Sequence, residues 1–142
     1  MKTSLPIPAR AAALALMIVA FGCDSAPEHH PRSTQTVTLS ADQPNPDVAA
    51  GIVSAIEVDL PAGPKGSAGF AWEIASNNAT VLDQMGPMKQ GVVTDPQASP
   101  PAAVTFYVLK TGKSVLRFVL VRPGDADAEP AAKCEVVVRV TD

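Results

Sequence analysis

The sequence predicts an all-β domain, a small sandwich or barrel of about seven to eight short strands, preceded by an export signal and a flexible tether. Three observations point there. Apolar and polar residues alternate at period 2 in segment after segment, with Gly, Pro, Asp and Asn clusters between the segments. Prolines number 14 in 142 residues and are distributed along the chain, and each would remove a backbone bond from a helix interior. Beyond the N-terminal signal, no stretch carries the sustained i, i+3, i+4 apolar stripe of an amphipathic helix, and no internal repeat is present.

The N-terminus is organised for export. Lys2 and Arg10 give it a positive start, and Ala11–Phe21 is an unbroken run of eleven apolar residues. A spanning helix takes about 20 residues, whereas a run of this length suits the hydrophobic region of a signal peptide. The run ends Val19-Ala20-Phe21-Gly22-Cys23, which resembles the bacterial lipoprotein signal. The resemblance implies cleavage after residue 22, a lipid on Cys23, and a protein anchored to membrane in the bacterial cell envelope. Ordinary secretion with cleavage near Gly22 is the alternative. Removing residues 1–22 leaves about 120, enough for one domain, and takes net charge from −3 to −5 with the loss of Lys2 and Arg10. Such a chain has no basic footprint for nucleic acid. Residues 23–35 lack apolar periodicity and read as the tether, leaving residues 36–142 as the folded domain. Glu28-His29-His30 offers two adjacent imidazoles with no third ligand on a rigid element, so no metal site is expected.

The strands follow in order. Val37 and Leu39 alternate with Thr36, Thr38 and Ser40. Ser54, Ile56, Val58 and Leu60 alternate with Ala55, Glu57 and Asp59. Phe70, Trp72 and Ile74 alternate with Ala71, Glu73 and Ala75. Val81 to Met88 is less regular and is interrupted at Gly86-Pro87. Val104, Phe106 and Val108 alternate with Thr105 and Tyr107, and Leu116, Phe118 and Leu120 with Val115, Arg117 and Val119. In the last strand Cys134 shares the parity of Val136, Val138 and Val140, which places its thiol on the inward face. A buried thiol behaves as a small, inert hydrophobe. A disulfide to Cys23 is the competing account in an exported protein.

Three connections are long: Pro61–Gly69, Gly91–Ala103 and Arg122–Pro130. Loops of this kind on a rigid scaffold are where binding function resides, whereas Thr111-Gly112 reads as an ordinary hairpin turn. No enzyme is expected. A nucleophile activated by imidazole needs a histidine in the fold, and none follows His30. Cys/His spacing for zinc and a glycine-rich phosphate loop are missing too. The carboxylates Glu57, Asp59, Glu73 and Glu135 occupy outward strand positions, as solvated charges do.

Leu60-Pro61, a short loop and then Gly69-Phe70-Ala71-Trp72-Glu73 resemble the first inhibitory loop of the chagasin-type inhibitors of cysteine peptidases. In that family an Asn-Pro-Thr-Thr-Gly loop runs into Gly, Tyr or Phe, any residue, then Trp. Phe106 to Lys110, Thr111-Gly112 and Val115-Leu116-Arg117-Phe118, leading into Arg122-Pro123, are similar to the family's strand, turn and strand before an Arg-Pro-aromatic loop. The resemblance extends from Val48 to Asp142. It implies an immunoglobulin-like β-sandwich acting as a monomer without cofactor, whose loops wedge non-covalently into the active-site cleft of a papain-like cysteine peptidase. The first loop would be Lys65, Gly66, Ser67, Ala68 and Gly69 with Phe70 and Trp72. The second would be Asp95, Pro96, Ser99, Pro100 and Pro101, and the third Arg122, Pro123 and Gly124.

The chain departs from the family at these loops. Of Asn-Pro-Thr-Thr-Gly only the Gly persists, as Gly69, with Ser67-Ala68 at the two Thr positions. Asp95 to Ala102 is proline-rich where the family is glycine-rich, and Gly124 replaces the aromatic after Arg-Pro. Phe70 and Trp72 share the inward parity, which also fits plain core packing, and Arg122-Pro123 also fits a strand end and turn. The alternative function is a non-inhibitory structural or accessory envelope lipoprotein that keeps the fold and binds another protein.

Overall fold

The computed structural model describes residues 31–40, 45–125 and 127–142. The signal at residues 1–22, Cys23 and the tether as far as residue 30 lie outside the described residues. Eight strands follow: β1 (Thr34–Thr38), β2 (Asp47–Gly51), β3 (Ala55–Leu60), β4 (Ala71–Ser76), β5 (Leu82–Gln90), β6 (Ala102–Val108), β7 (Gly112–Val121) and β8 (Ala132–Thr141). They form two four-stranded sheets, ordered β1-β3-β6-β5 and β2-β8-β7-β4. The last six strands are shared between the sheets as in immunoglobulin domains. Each sheet gains an edge from the N-terminal segment, with β1 parallel to β3 and β2 parallel to β8.

Period-2 alternation decides which side chains enter the core. Ile56 and Val58 of β3, Phe106 and Val108 of β6, Leu116, Phe118 and Leu120 of β7, and Val136 and Val138 of β8 have no exposed surface. Removing a ring such as Phe106 or Phe118 from such a site costs about 3–5 kcal/mol. Cys134 lies on the same face, opposite Phe118 in the β7–β8 register, and its thiol is free and buried. Burial pushes that thiol's pKa up.

The strands differ from the periodicity reading in three places. Asp47–Gly51 is a strand whose Val48 and Ala50 turn inward; two alanines and a glycine in five residues give too little contrast for alternation to show. β1 begins at Thr34, and Ser33 already accepts a 2.8 Å bond from the Ala55 N–H. The first strand therefore includes Thr34 and Gln35, two residues that composition assigns to the tether. Gly86-Pro87 does not end β5. The register with β6 shifts between Met85 and Lys89, and Gly86 takes a φ of 74° there, so the interruption is a bulge.

This register positions the long loops. β3 ends at Leu60 and β5 at Gln90, and both residues pair with Ala102 at the start of β6. In the other sheet Ala71 at the start of β4 pairs with Val121 at the end of β7, and Leu120 pairs with Ala132 at the start of β8. All three long connections therefore leave the sandwich at one end.

Candidate functional site: three loops at one end of the sandwich

The first loop (residues 61–70) is anchored by Trp72. Its indole lies in the core with 6% exposure, and Nε1–H donates to the Pro61 carbonyl at 2.9 Å. A buried indole N–H needs such a partner, and this one lies at the loop's first residue. Trp72 therefore supports the loop from beneath and presents no surface of its own. Lys65, Gly66, Ala68 and Gly69 are exposed. Gly66 and Gly69 have φ of 90° and 83°, backbone that residues with a Cβ seldom adopt.

Ser67 faces the other way. It is 1% exposed, its hydroxyl donates to the Pro64 carbonyl, and the same oxygen accepts from the Ser99 N–H at 2.9 Å. Ser99, in the second loop (residues 91–101), is equally buried. Its Oγ and its carbonyl both accept from the Gly63 N–H at 3.1 Å. The Gln97 carbonyl accepts from Gly66 at 2.8 Å and from Ala68 at 3.3 Å. Within the second loop, Asp95 Oδ1 accepts from the Gln97 N–H at 2.9 Å, and its carbonyl accepts from Ala98. Pro96 is exposed, and Pro100 and Pro101 are half-buried.

The third loop meets the first through a ring. The Arg122 guanidinium sits 5.2 Å from the centre of the half-buried Phe70 ring, within cation–π range. Pro123 and Gly124 are exposed, Gly124 with φ of 83° in a turn closed from Asp125 N–H to the Arg122 carbonyl. The loop overhangs an open groove of about 560 Å³ beside β4 and β7, bordered by Glu73, Val119, Arg122 and Asp125.

The structure thus brings all three sequence-predicted loops together, while sorting their residues by depth. Ser67, Trp72 and Ser99 form the interior of the end. Lys65, Gly66, Ala68, Gly69, Pro96, Pro123 and Gly124 form its surface. Val92 and Val93, at 79% and 55% exposure, belong to the same surface and were not among the residues singled out from sequence. Sequence places both in the second long connection, but it carries no signal of how far they project; β5 ends at Gln90 and leaves them exposed.

No family model matches the chain, and no curated protein matches it. Solved structures do. The cysteine protease inhibitor EhICP2 from Entamoeba histolytica, in its crystal structure, superposes with a TM-score of 0.57 at 16% identity, over 79% of this chain and 100% of its own. The solution structure of amebosin gives 0.54 at 17% identity, over 79% and 100% respectively. At such identities the likeness is one of fold, and over nearly the whole described chain the fold is that of these two proteins.

Proposed function

We propose that this chain is a non-covalent inhibitor of papain-like cysteine peptidases, held at a membrane of the bacterial cell envelope by a lipid on Cys23. One observation carries the reading: three long loops converge on one end of a sandwich that shares its fold with a cysteine protease inhibitor. In this reading the small-residue edge Lys65-Gly66 and Ala68-Gly69 enters the active-site cleft. The second and third loops flank it and rest on the cleft's rims.

The chemistry asked of the protein is modest. A wedge needs no nucleophile, metal or cofactor. It needs an edge narrow enough to enter, which glycine and alanine provide, and it needs loops that lose little freedom on docking. Association already costs about 4–15 kcal/mol in lost translation and rotation. Loops whose backbone groups are bonded before binding add little to that cost. The monomer is sufficient for this action.

The test is an inhibition assay of the mature chain carrying Cys23→Ser against a panel of papain-like peptidases. Reversible, competitive inhibition is expected, with no cleavage of the first loop. Absence of inhibition across the panel at tens of micromolar refutes the reading and leaves the accessory envelope role. The anchor is tested separately. Cys23→Ser is expected to release the protein from the membrane fraction, and unchanged fractionation refutes lipidation.

A further inference from the structure

We infer that Ser67 and Ser99 are positioning residues that lock the first and second loops into one preformed edge. The two loops come from different parts of the chain, and nothing in a β-sandwich requires adjacent connections to share hydrogen bonds. Here they share several. Ser67 Oγ accepts from the Ser99 backbone N–H at 2.9 Å while its proton goes to the Pro64 carbonyl. Ser99 receives the Gly63 N–H on both its side-chain and main-chain oxygens. Gln97 receives the two amides on either side of Ser67, those of Gly66 and Ala68.

Three features make this a lock rather than a surface contact. Both serines are 1% exposed, so water does not stand in for a lost partner, and an unpaired buried amide is costly. All buried side-chain polar atoms among the described residues have partners, so the network has no loose member. Gly63 leaves no room for a Cβ, which would collide with Ser67 Oγ and Ser99 Oγ. The backbone of the first loop is thus drawn directly against the serine pair. The exposed residues on either side, Gly66 and Ala68 in one loop and Pro96 in the other, are then fixed relative to each other before any partner arrives.

The consequence for binding rests on the inhibitor reading. The lock itself does not, and the two are separable by experiment. Amide exchange is measured by NMR on the mature chain and on Ser67→Ala and Ser99→Ala. Ser67→Ala is expected to raise exchange at Ser99 by roughly tenfold or more, with smaller increases at Gly66 and Ala68, while Val58 and Phe106 in the core change little. Ser99→Ala, which leaves the Ser99 carbonyl in place, is expected to act mainly at Gly63 and serves if the first variant does not fold. Unchanged exchange at Ser99 in a folded Ser67→Ala protein overturns the lock. Against a peptidase that the parent chain inhibits, the unlocked variant is expected to bind roughly tenfold more weakly. Loosened loops with an unchanged inhibition constant overturn the positioning role. Loosened loops in a chain that inhibits nothing support the lock and refute the inhibitor reading alone.

Discussion

Replacing Gly63 with alanine is the sharpest test of how closely the first two loops are packed. Where alanine can adopt the native backbone without strain, Gly→Ala stabilises by about 0.4–1 kcal/mol, because the unfolded chain loses freedom. Gly63 has no left-handed backbone to forbid a side chain, so that gain applies here in principle. Opposing it, the new methyl would meet Ser67 Oγ, Ser99 Oγ and, at 2.7 Å, Leu120 Cδ2. Leu120 is fully buried in β7 and cannot swing away. Overpacking of this kind costs about 1–3 kcal/mol, and displacing either serine strands a buried amide at about 1–3 kcal/mol more. The opposing terms win, with a net loss of about 1–6 kcal/mol. At roughly 4–8 °C per kcal/mol for a domain near this size, the midpoint falls by at least about 4 °C. Gly51→Ala is the matched control. Its Cβ would meet nothing within 4 Å, so its midpoint stays put or rises slightly. Thermal melts of both variants beside the parent decide the matter. A Gly63→Ala midpoint equal to that of Gly51→Ala would mean that the loops are not closed around residue 63, and the lock would fall with it.

Other outcomes follow from the same geometry. Val92→Ser with Val93→Ser is expected to weaken peptidase inhibition by only about threefold while leaving the melting midpoint within about 2 °C, since exposed positions contribute little to stability; a large drop in midpoint would contradict their exposure. Val53, a β-branched residue at φ 64° in the turn before β3, is strained, and Val53→Asn is expected to raise stability by about 1 kcal/mol in urea unfolding without affecting inhibition. Cys134 has a raised pKa in the folded state, with desolvation as the cause. Above its ordinary value of 9.0 the unfolded chain sheds the proton first, so stability falls as pH rises further. Cys134→Ala is expected to flatten that alkaline slope in urea titrations at a series of pH values, and an unaltered slope would contradict it.

The sheets were legible in the sequence because most strands pair strong hydrophobes with polar residues. Ile56, Val58 and Leu60 against Glu57 and Asp59 leave one assignment of faces, and the core has it. Legibility failed where contrast was weak, at Asp47–Gly51; at Gly86 alternation showed an interruption within the run but not that it is a bulge. At the loops the limit was different in kind. Sequence located all three, because Gly and Pro clusters mark breaks in alternation. It could not sort Ser67 from Ala68 or Ser99 from Pro100 by depth, since no periodicity runs through irregular backbone. Ser67 is inside only because Ser99 arrives from another connection to meet it, and that meeting is a property of the fold.

The scarcity of aromatics gives the loop lock its weight. Among the described residues the aromatic side chains are Phe70, Trp72, Phe106, Tyr107 and Phe118. Phe106 and Phe118 fill the core, Trp72 is spent on tying Pro61, and Tyr107 sits in β6 at the opposite end from the loops. Phe70 is the one described aromatic partly exposed at the loop end, and there it is half-buried beneath Arg122. Interfaces ordinarily draw most of their affinity from a few buried aromatic or arginine anchors, and the position after Arg122-Pro123, where such an anchor would stand, is Gly124. A surface built largely from glycine, alanine, proline and valine, with Lys65 and Arg122 as its long side chains, offers less contact energy per residue, so it tolerates less entropy loss on docking. If the chain inhibits as proposed, rigidity substitutes for anchors. The hydrogen bonds through Ser67 and Ser99 then matter more to binding than any single exposed side chain, and affinity should respond more steeply to loosening the loops than to trimming them.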